Sequence, residues 1–279
     1  MPKAIREWEK AFGQWLYDRS GGWVFEQPIP RTLYKYCRPE RVHVLRDCSV
    51  RFSQRTVFED ERELRPEVAE FGTEEEIRAY LAFNPWGQSL PAWLKEAVVH
   101  RILTVPGWQE RVLRIAQSAL TAPEEFAVFC LCEESNSDEM WKTYAGTTGF
   151  VLAFDTIHPA FESLRNPGKL GRITYSDEPL GTFIGSYGPD AFFRKRSKYA
   201  FEREWRAIRA IYRLEDKGEQ DGHRVFVSRF DPACVREVLL RPESIVEQNL
   251  RQLFATDRQY AHVALRRVER TESRASNTG

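Results

Sequence analysis

Apolar residues recur along this chain with two different periods, and the switches between them outline its elements. Ile5, Trp8, Phe12, Trp15 and Leu16 fall at helical spacing ahead of Gly21 and Gly22, which predicts an amphipathic helix over 1–22. Residues 33–37 and 50–53 read as strands, the second with Val50 and Phe52 on one face, and 39–47 between them reads as a helix. From 73 to 120 the period is helical. Thr73 and Glu76 have the form of a capping box, while Pro91 and Pro106 suit the first turns of helices, so three consecutive helices are expected.

Beyond residue 120 the alternation changes. Strands at 126–132 and 150–154 flank a helix over 137–145 with Ser137 as its N-cap. Further strands are expected at 173–175, 201–212, 224–230, 237–240 and 262–268, and a helix over about 243–254. The loop holding Gly181, Gly185 and Gly188 is the most glycine-rich segment, and 270–279 reads as a disordered tail. Together these elements predict an α+β fold with a mixed, largely antiparallel sheet core. It would be a single domain over 23–269, carrying the N-terminal helix and a helical insert at about 73–120.

Composition narrows the function classes. The chain has 279 residues, 42% hydrophobic and 13% aromatic, enough to bury a sizeable core. Basic and acidic residues both number 41, so no bulk charge draws the chain to a polyanion, and nucleic-acid binding would need a local patch. No stretch approaches the roughly 20 apolar residues of a membrane span and the start has no signal-peptide core, so no membrane association and a cytoplasmic location are expected. Five cysteines, an odd number, fit a reducing compartment better than a disulfide framework.

Familiar catalytic signatures are absent: there is no dinucleotide-binding glycine fingerprint, no phosphate loop, no His-Glu-x-x-His and no Gly-x-Ser-x-Gly. Cys130 and Cys132 share a strand face, but their spacing is too close for a zinc site, and no metal is expected. The run Phe201-Glu202-Arg203-Glu204-Trp205-Arg206 stands out. On a strand it would place Glu202, Glu204 and Arg206 on one face and Phe201 and Trp205 on the other. Two carboxylates so close repel unless cations or a ligand sit between them, which makes either an acid/base constellation or a solvated face neutralised by Arg206 and Lys198. Met140, Trp141 and Tyr144, at helical neighbour spacing, would pack beneath the following strand or line a ligand slot.

The order of several short motifs resembles that of an uncharacterised bacterial family, a domain of unknown function. They are Leu33-Tyr34-Lys35-Tyr36, Phe52-Ser53, Phe58-Glu59-Asp60-Glu61-Arg62-Glu63, Met140-Trp141-x-x-Tyr144-Ala145 with Gly149-Phe150, and Lys198 followed by Glu202-x-Glu204-x-Arg206. Where that family reads Asn-Asp-Pro-Phe, this chain has Glu59-Asp60-Glu61-Arg62, with Phe58, Asp60 and Glu63 retained. A second likeness is to the ADP-ribosyltransferase fold of the DarT and RNA 2′-phosphotransferase type, in which an early Tyr-His strand and a late strand-borne glutamate build the site. Lys35 stands here in the histidine's place.

What that likeness implies is an NAD-consuming, ADP-ribosyltransferase-like enzyme or NAD glycohydrolase, acting as a toxin or defence effector. NAD would be the cosubstrate, a nucleotide-type small molecule the ligand, and the macromolecular acceptor is unspecified. Glu204 would stabilise the ribosyl cation and Glu202 would activate the acceptor. Tyr34 or Tyr144 would stack on nicotinamide beside Tyr36 and Trp141, Ser53 would bond the ribose, and Lys35, Lys198 or Arg206 would meet phosphate. Two other readings stay open: a non-catalytic binding module with a structural charge network, and a metal-dependent phosphodiesterase or nuclease drawing on Asp60, Glu63 and Glu204.

Overall fold

A computed structural model of the chain describes residues 28–60, 62–64, 67–83, 85–119, 126–165, 168–182 and 193–270. The helix expected over 1–22, the glycine loop at Gly185 and Gly188, and the tail beyond 270 lie outside the described residues. The chain divides into two compact units. The first comprises Met1–Glu26, Phe58–Glu124 and Thr174–Arg196, and the second Gln27–Val57, Glu125–Ile173 and Ser197–Gly279.

The strands are, in chain order, β1 (Thr32–Cys37), β2 (Ser49–Phe52), β3 (Val68–Glu70), β4 (Phe126–Cys132), β5 (Phe150–Asp155), β6 (Lys169–Arg172) and β7 (Thr174–Tyr175). They continue with β8 (Leu180–Thr182), β9 (Arg194–Lys195), β10 (Glu204–Ala210), β11 (Glu215–Gln220), β12 (His223–Arg229), β13 (Val235–Leu240) and β14 (Ala264–Arg267). The fold is α+β, with a mixed and mostly antiparallel main sheet.

In the first unit, β3 pairs with β8 and β7 with β9, both in parallel. The helical period at 73–120 resolves into Glu74–Phe83, Pro85–Ser89, Ala92–Thr104 and Trp108–Ala119, one short helix more than the pattern predicts. The capping box is formed: the Thr73 N–H donates to Glu76 Oε2 at 2.9 Å and the Glu76 N–H to Thr73 Oγ1 at 3.3 Å. Val68, Phe71, Ile77, Leu81, Val99 and Ile102 make this unit's buried cluster.

The second unit is built on a seven-stranded sheet in the order β14-β13-β5-β1-β4-β10-β6. Its inner strands β4 and β5 are almost entirely apolar, because both of their faces are covered. One face carries Leu33, Phe129, Leu131, Leu152, Phe154, Trp205, Val238 and Leu240 into the main core. A smaller sheet, β11-β12-β2, joins that core through Phe52, whose ring lies 5.7 Å from that of Phe129. The opposite face of the large sheet carries a second cluster around Tyr36, Cys132, Met140, Trp141, Val151 and Leu239.

Several local readings of the sequence differ from the structure, and three of the differences have a clear physical cause. The strand expected over 201–212 is confined to β10; it is preceded by a 3-10 turn, Ser197–Glu202, and followed by another, Ile211–Arg213. The break falls at Arg203, whose φ of 42° is in the left-handed region that side chains disfavour. Second, β11 went unread because all six of its residues are exposed, leaving no apolar alternation to detect. Third, the helix expected over 137–145 is one α turn, Asp138–Met140, running into one π turn, Trp141–Ala145, closed by the Gly146 N–H on the Trp141 carbonyl at 2.7 Å. Ser137 caps it as predicted, accepting from the Met140 N–H at 3.3 Å. The chain then needs Gly149, where a Cβ would fall 2.3 Å from the carbonyl oxygens of both Ala145 and Cys37.

Candidate functional site

Strand register gathers the polar residues. Tyr34 of β1 and Glu204 of β10 are both paired with Cys132 of β4, one from each side. Residues level with one another on adjacent strands share a face. Tyr34, Cys132 and Glu204 therefore look the same way, with Tyr34 and Glu204 two strand spacings, roughly 10 Å, apart. Arg206, two residues along β10, is on that face as the alternation predicts, and Trp205 is on the core face.

Glu204 and Arg206 are both buried, at 2% and 0% exposure. Arg206 grips the carboxylate with two donors: Nε to Oε1 at 2.8 Å and Nη2 to Oε2 at 3.1 Å. This fork geometry holds Glu204 as a carboxylate with both oxygens occupied. Arg206 is thereby committed to Glu204, so its expected phosphate role is replaced by an ion pair.

Glu202 is placed differently from the expectation. It ends the 3-10 turn and is not strand-borne, and Arg203 turns the chain between the two acids. Its carboxylate is buried at 3% exposure and accepts a hydrogen bond from the Tyr144 hydroxyl. Tyr144 itself is 37% exposed, so this pair reaches from the interior to the surface. Phe201, expected beside Trp205, packs instead against the Tyr36 and Trp141 cluster, because the 3-10 turn breaks the strand alternation that would have aimed it at the core face.

The remaining predicted residues divide between support and separation. The Tyr36 hydroxyl donates to the Glu134 carbonyl at 2.8 Å and accepts from the Ser137 N–H at 3.1 Å, and burial pushes its ionisation above the ordinary tyrosine range. Trp141 is fully buried, donates from Nε1 to Asn136 Oδ1 at 3.1 Å, and meets the Tyr36 ring edge-on at 5.7 Å. The Arg241 guanidinium lies 4.8 Å from the Trp141 ring and bonds Asp138. Tyr36 and Trp141 thus brace the π turn that presents Tyr144. Tyr34 is half-buried; burial and Glu237 raise its ionisation, with Arg266 and the Ser135 hydroxyl opposing them.

Lys35 points the other way. Its neighbours in β1 alternate across the sheet, and its ammonium donates to the Cys130 carbonyl at 2.9 Å, 5.2 Å from the Phe129 ring on the core face. There it satisfies a carbonyl in the gap between β1, which pairs with β4 at Cys132, and Ser53, which bridges β4 at Val128. Ser53 stands four residues along β4 from Cys132, roughly 13 Å from the level of Glu204. Lys198 is exposed, with its ammonium 4.7 Å from the neighbouring Tyr199 ring. It does not neutralise the buried acids as the strand pattern suggests, since the 3-10 turn directs it to solvent.

Asp60 and Glu63 belong to the first unit. Asp60 accepts from Arg196 Nε at 2.6 Å and from the Arg62 N–H at 3.1 Å, and Glu63 is 3.6 Å from the Lys195 ammonium. Both acids are buried. Among the described residues, no three His, Cys, Asp or Glu side chains gather into a metal-holding group.

Sequence reasoning missed Cys132, which lies midway between Tyr34 and Glu204, and the Asn136 to Asp138 loop that anchors Trp141 and Arg241. The alternation of β4 did mark the face of Cys132, but register between distant strands leaves no trace in the sequence. Burial pushes the Cys132 thiol up to about 12, with the charges of Glu134, Glu133 and Glu202 adding to the shift and the Glu134 N–H opposing it. No family model, curated protein or solved structure matches this chain.

Proposed function

We propose that this chain is an NAD-consuming, ADP-ribosyltransferase-like enzyme whose working carboxylates are Glu202 and Glu204. The observation that carries the reading is the juxtaposition on one sheet face. A buried carboxylate, Glu202, is tied to a surface-reaching tyrosine on a π turn, beside an ionised Glu204 in register with Tyr34. π turns and left-handed non-glycine residues concentrate at functional sites, and here one of each flanks the Glu202 carboxylate.

The chemistry asks for such a pair. When the bond between ribose C1′ and the nicotinamide nitrogen breaks, its electron pair leaves with neutral nicotinamide and positive charge develops on the ribose. Glu204, kept anionic by Arg206, supplies a fixed negative field opposing that charge. Glu202 takes the proton of the acceptor, water or a macromolecular hydroxyl or amide, as its lone pair closes on C1′. Tyr144 orients Glu202 and offers a ring for the nicotinamide, and Tyr34 lines the far side.

The direct experiment is chromatographic detection of nicotinamide released from NAD by wild type and by Glu202→Gln. Release by the wild type that falls at least a hundredfold in the variant, with little change in melting temperature, supports the reading. Absence of release, together with no NAD-dependent rise in melting temperature, defeats it.

One observation favours a second reading, a non-catalytic module with a structural charge network: Glu204 and Arg206 are both wholly buried and satisfy each other. On that reading Glu204→Gln lowers stability and no variant of this face alters an activity. The metal-dependent reading draws on acids that are each engaged by a base, Asp60 by Arg196 and Glu63 by Lys195.

A further inference from the structure

The tyrosines of the second unit differ in the groups to which their hydroxyls donate. The Tyr36 hydroxyl donates to the Glu134 carbonyl at 2.8 Å, and that of Tyr260 to the Leu45 carbonyl. A backbone carbonyl accepts a hydrogen bond without taking the proton, and burial holds both phenols above the ordinary tyrosine range. Tyr144 has another kind of partner. Its hydroxyl donates to the carboxylate of Glu202, a group that can take the proton outright.

Exposure separates them further. Tyr36 and Tyr260 are buried, whereas Tyr144 reaches the surface. It is carried there by the π turn Trp141–Ala145, which is anchored by the wholly buried Trp141 against Tyr36. Glu202 is the buried end of the pair and comes from a separate element, the 3-10 turn Ser197–Glu202. A surface-reaching hydroxyl bonded to a buried carboxylate has the form of a nucleophile and its base. The neighbouring acid is used otherwise, since both oxygens of Glu204 lie in the Arg206 fork. Tyrosine is a competent nucleophile at an anomeric carbon.

We propose that Tyr144 is the nucleophile of this site, with Glu202 as its base and the ribosyl C1′ of NAD as the electrophile. Resting on the NAD reading, this gives that reaction its first acceptor, the enzyme's own phenol. In the first step the Tyr144 oxygen bonds to C1′ and its proton passes to Glu202. The bond from C1′ to nitrogen breaks with its electron pair leaving on neutral nicotinamide. In the second step water or another hydroxyl compound bonds to C1′ from the face that nicotinamide vacated. The bond between C1′ and the Tyr144 oxygen breaks, that oxygen keeps the pair and recovers the proton from Glu202, and the acceptor's proton goes to solvent. Glu204 opposes the positive charge on the ribose in both steps. Tyr144 acts here through its oxygen, which leaves Tyr34, on the same sheet face as Glu204, to stack on nicotinamide.

The consequence is stereochemical. Two displacements at one carbon restore its configuration, whereas a single displacement by the acceptor inverts it. The nicotinamide of NAD is attached in the β configuration, so the two routes give different products.

The test is solvolysis of NAD by the full chain in aqueous methanol, with nicotinamide followed by chromatography and the methyl ADP-ribose assigned as α or β by NMR. Wild type is expected to give the β product. Tyr144→Ala should release nicotinamide about a hundredfold more slowly. Added azide should restore its release and yield the α azide, because azide then makes the single displacement that the missing phenol made; a residue that only positions Glu202 would not be replaced in this way. Release by the wild type with an α product, or with both products in equal amounts, would overturn the inference and leave the NAD reading standing. So would a Tyr144→Ala enzyme that azide does not rescue or that gives the β azide. The wild-type product decides the case in which Tyr144→Ala does not fold. No release by the wild type defeats the inference and the NAD reading together.

Discussion

The two faces of the seven-stranded sheet solve burial in opposite ways. The core face is largely apolar, with the Lys35 and Arg209 cations as its exceptions. Phe154 there is wholly buried, with Phe129 and Phe230 meeting its ring near right angles at 6.2 and 5.8 Å. The other face holds the buried Glu202, Glu204 and Arg206 and two tyrosine hydroxyls, of which that of Tyr144 reaches the surface, each with a defined partner. Apart from Lys35, bonded to the Cys130 carbonyl, and Arg209, bonded to Ser228 and to the Ser163 and Leu164 carbonyls, the first face needs shape and area, which many sequences would serve. The second depends on particular pairs, because a buried charge without its partner costs far more than a buried methyl group contributes. A sheet face that keeps such groups against that cost is where chemistry is to be sought.

This contrast can be broken or sharpened by substitution. On the core face, Phe154→Ala should cost about 3–5 kcal/mol in denaturant unfolding, by transfer and cavity together. On the polar face, Arg206→Met should cost a similar amount, about 3–5 kcal/mol, by stranding Glu204. Adding Glu204→Met should recover most of it, a rescue with no counterpart at Phe154; failure of that rescue in a double-mutant cycle would erase the distinction between the faces. A smaller effect belongs to Tyr144→Phe, which removes the hydrogen bond from a surface-reaching hydroxyl to the buried Glu202 carboxylate. About 1.5 kcal/mol is expected, measured by thermal unfolding.

The faces also share one property. Burial pushes the Cys37 thiol, on the core face, up to about 11 and that of Cys132, on the polar face, up to about 12. Between the ordinary value of 9.0 and these raised values the unfolded chain releases protons that the folded chain keeps. Stability should therefore fall as pH rises through 9, by on the order of 1 kcal/mol per thiol at about pH 10. Replacing either cysteine with alanine should flatten that part of the stability profile.

How far the sequence anticipated these faces depended on which force set each element. β4 and β5 were legible to within a residue, since uninterrupted apolar runs have few other uses. The Thr73 capping box and the Ser137 cap were equally readable, because their chemistry is local. Glu204 and Arg206 were assigned to one face correctly from alternation alone. Glu202 was misplaced because one left-handed residue, Arg203, ends the alternation, and nothing about an arginine announces a positive φ. Lys35 was grouped with Tyr34 and Tyr36 by adjacency, although strand geometry itself sends it to the opposite face. The pairing of Tyr34 and Glu204 with a common Cys132 depends on long-range register, which no single segment encodes.

The claim that the polar face receives a ligand is tested most directly by hydrogen–deuterium exchange with and without NAD. Added protection over 138–145 and 197–204, with β11 and β12 unchanged, is the predicted result. Identical exchange over those two segments at saturating NAD would contradict it.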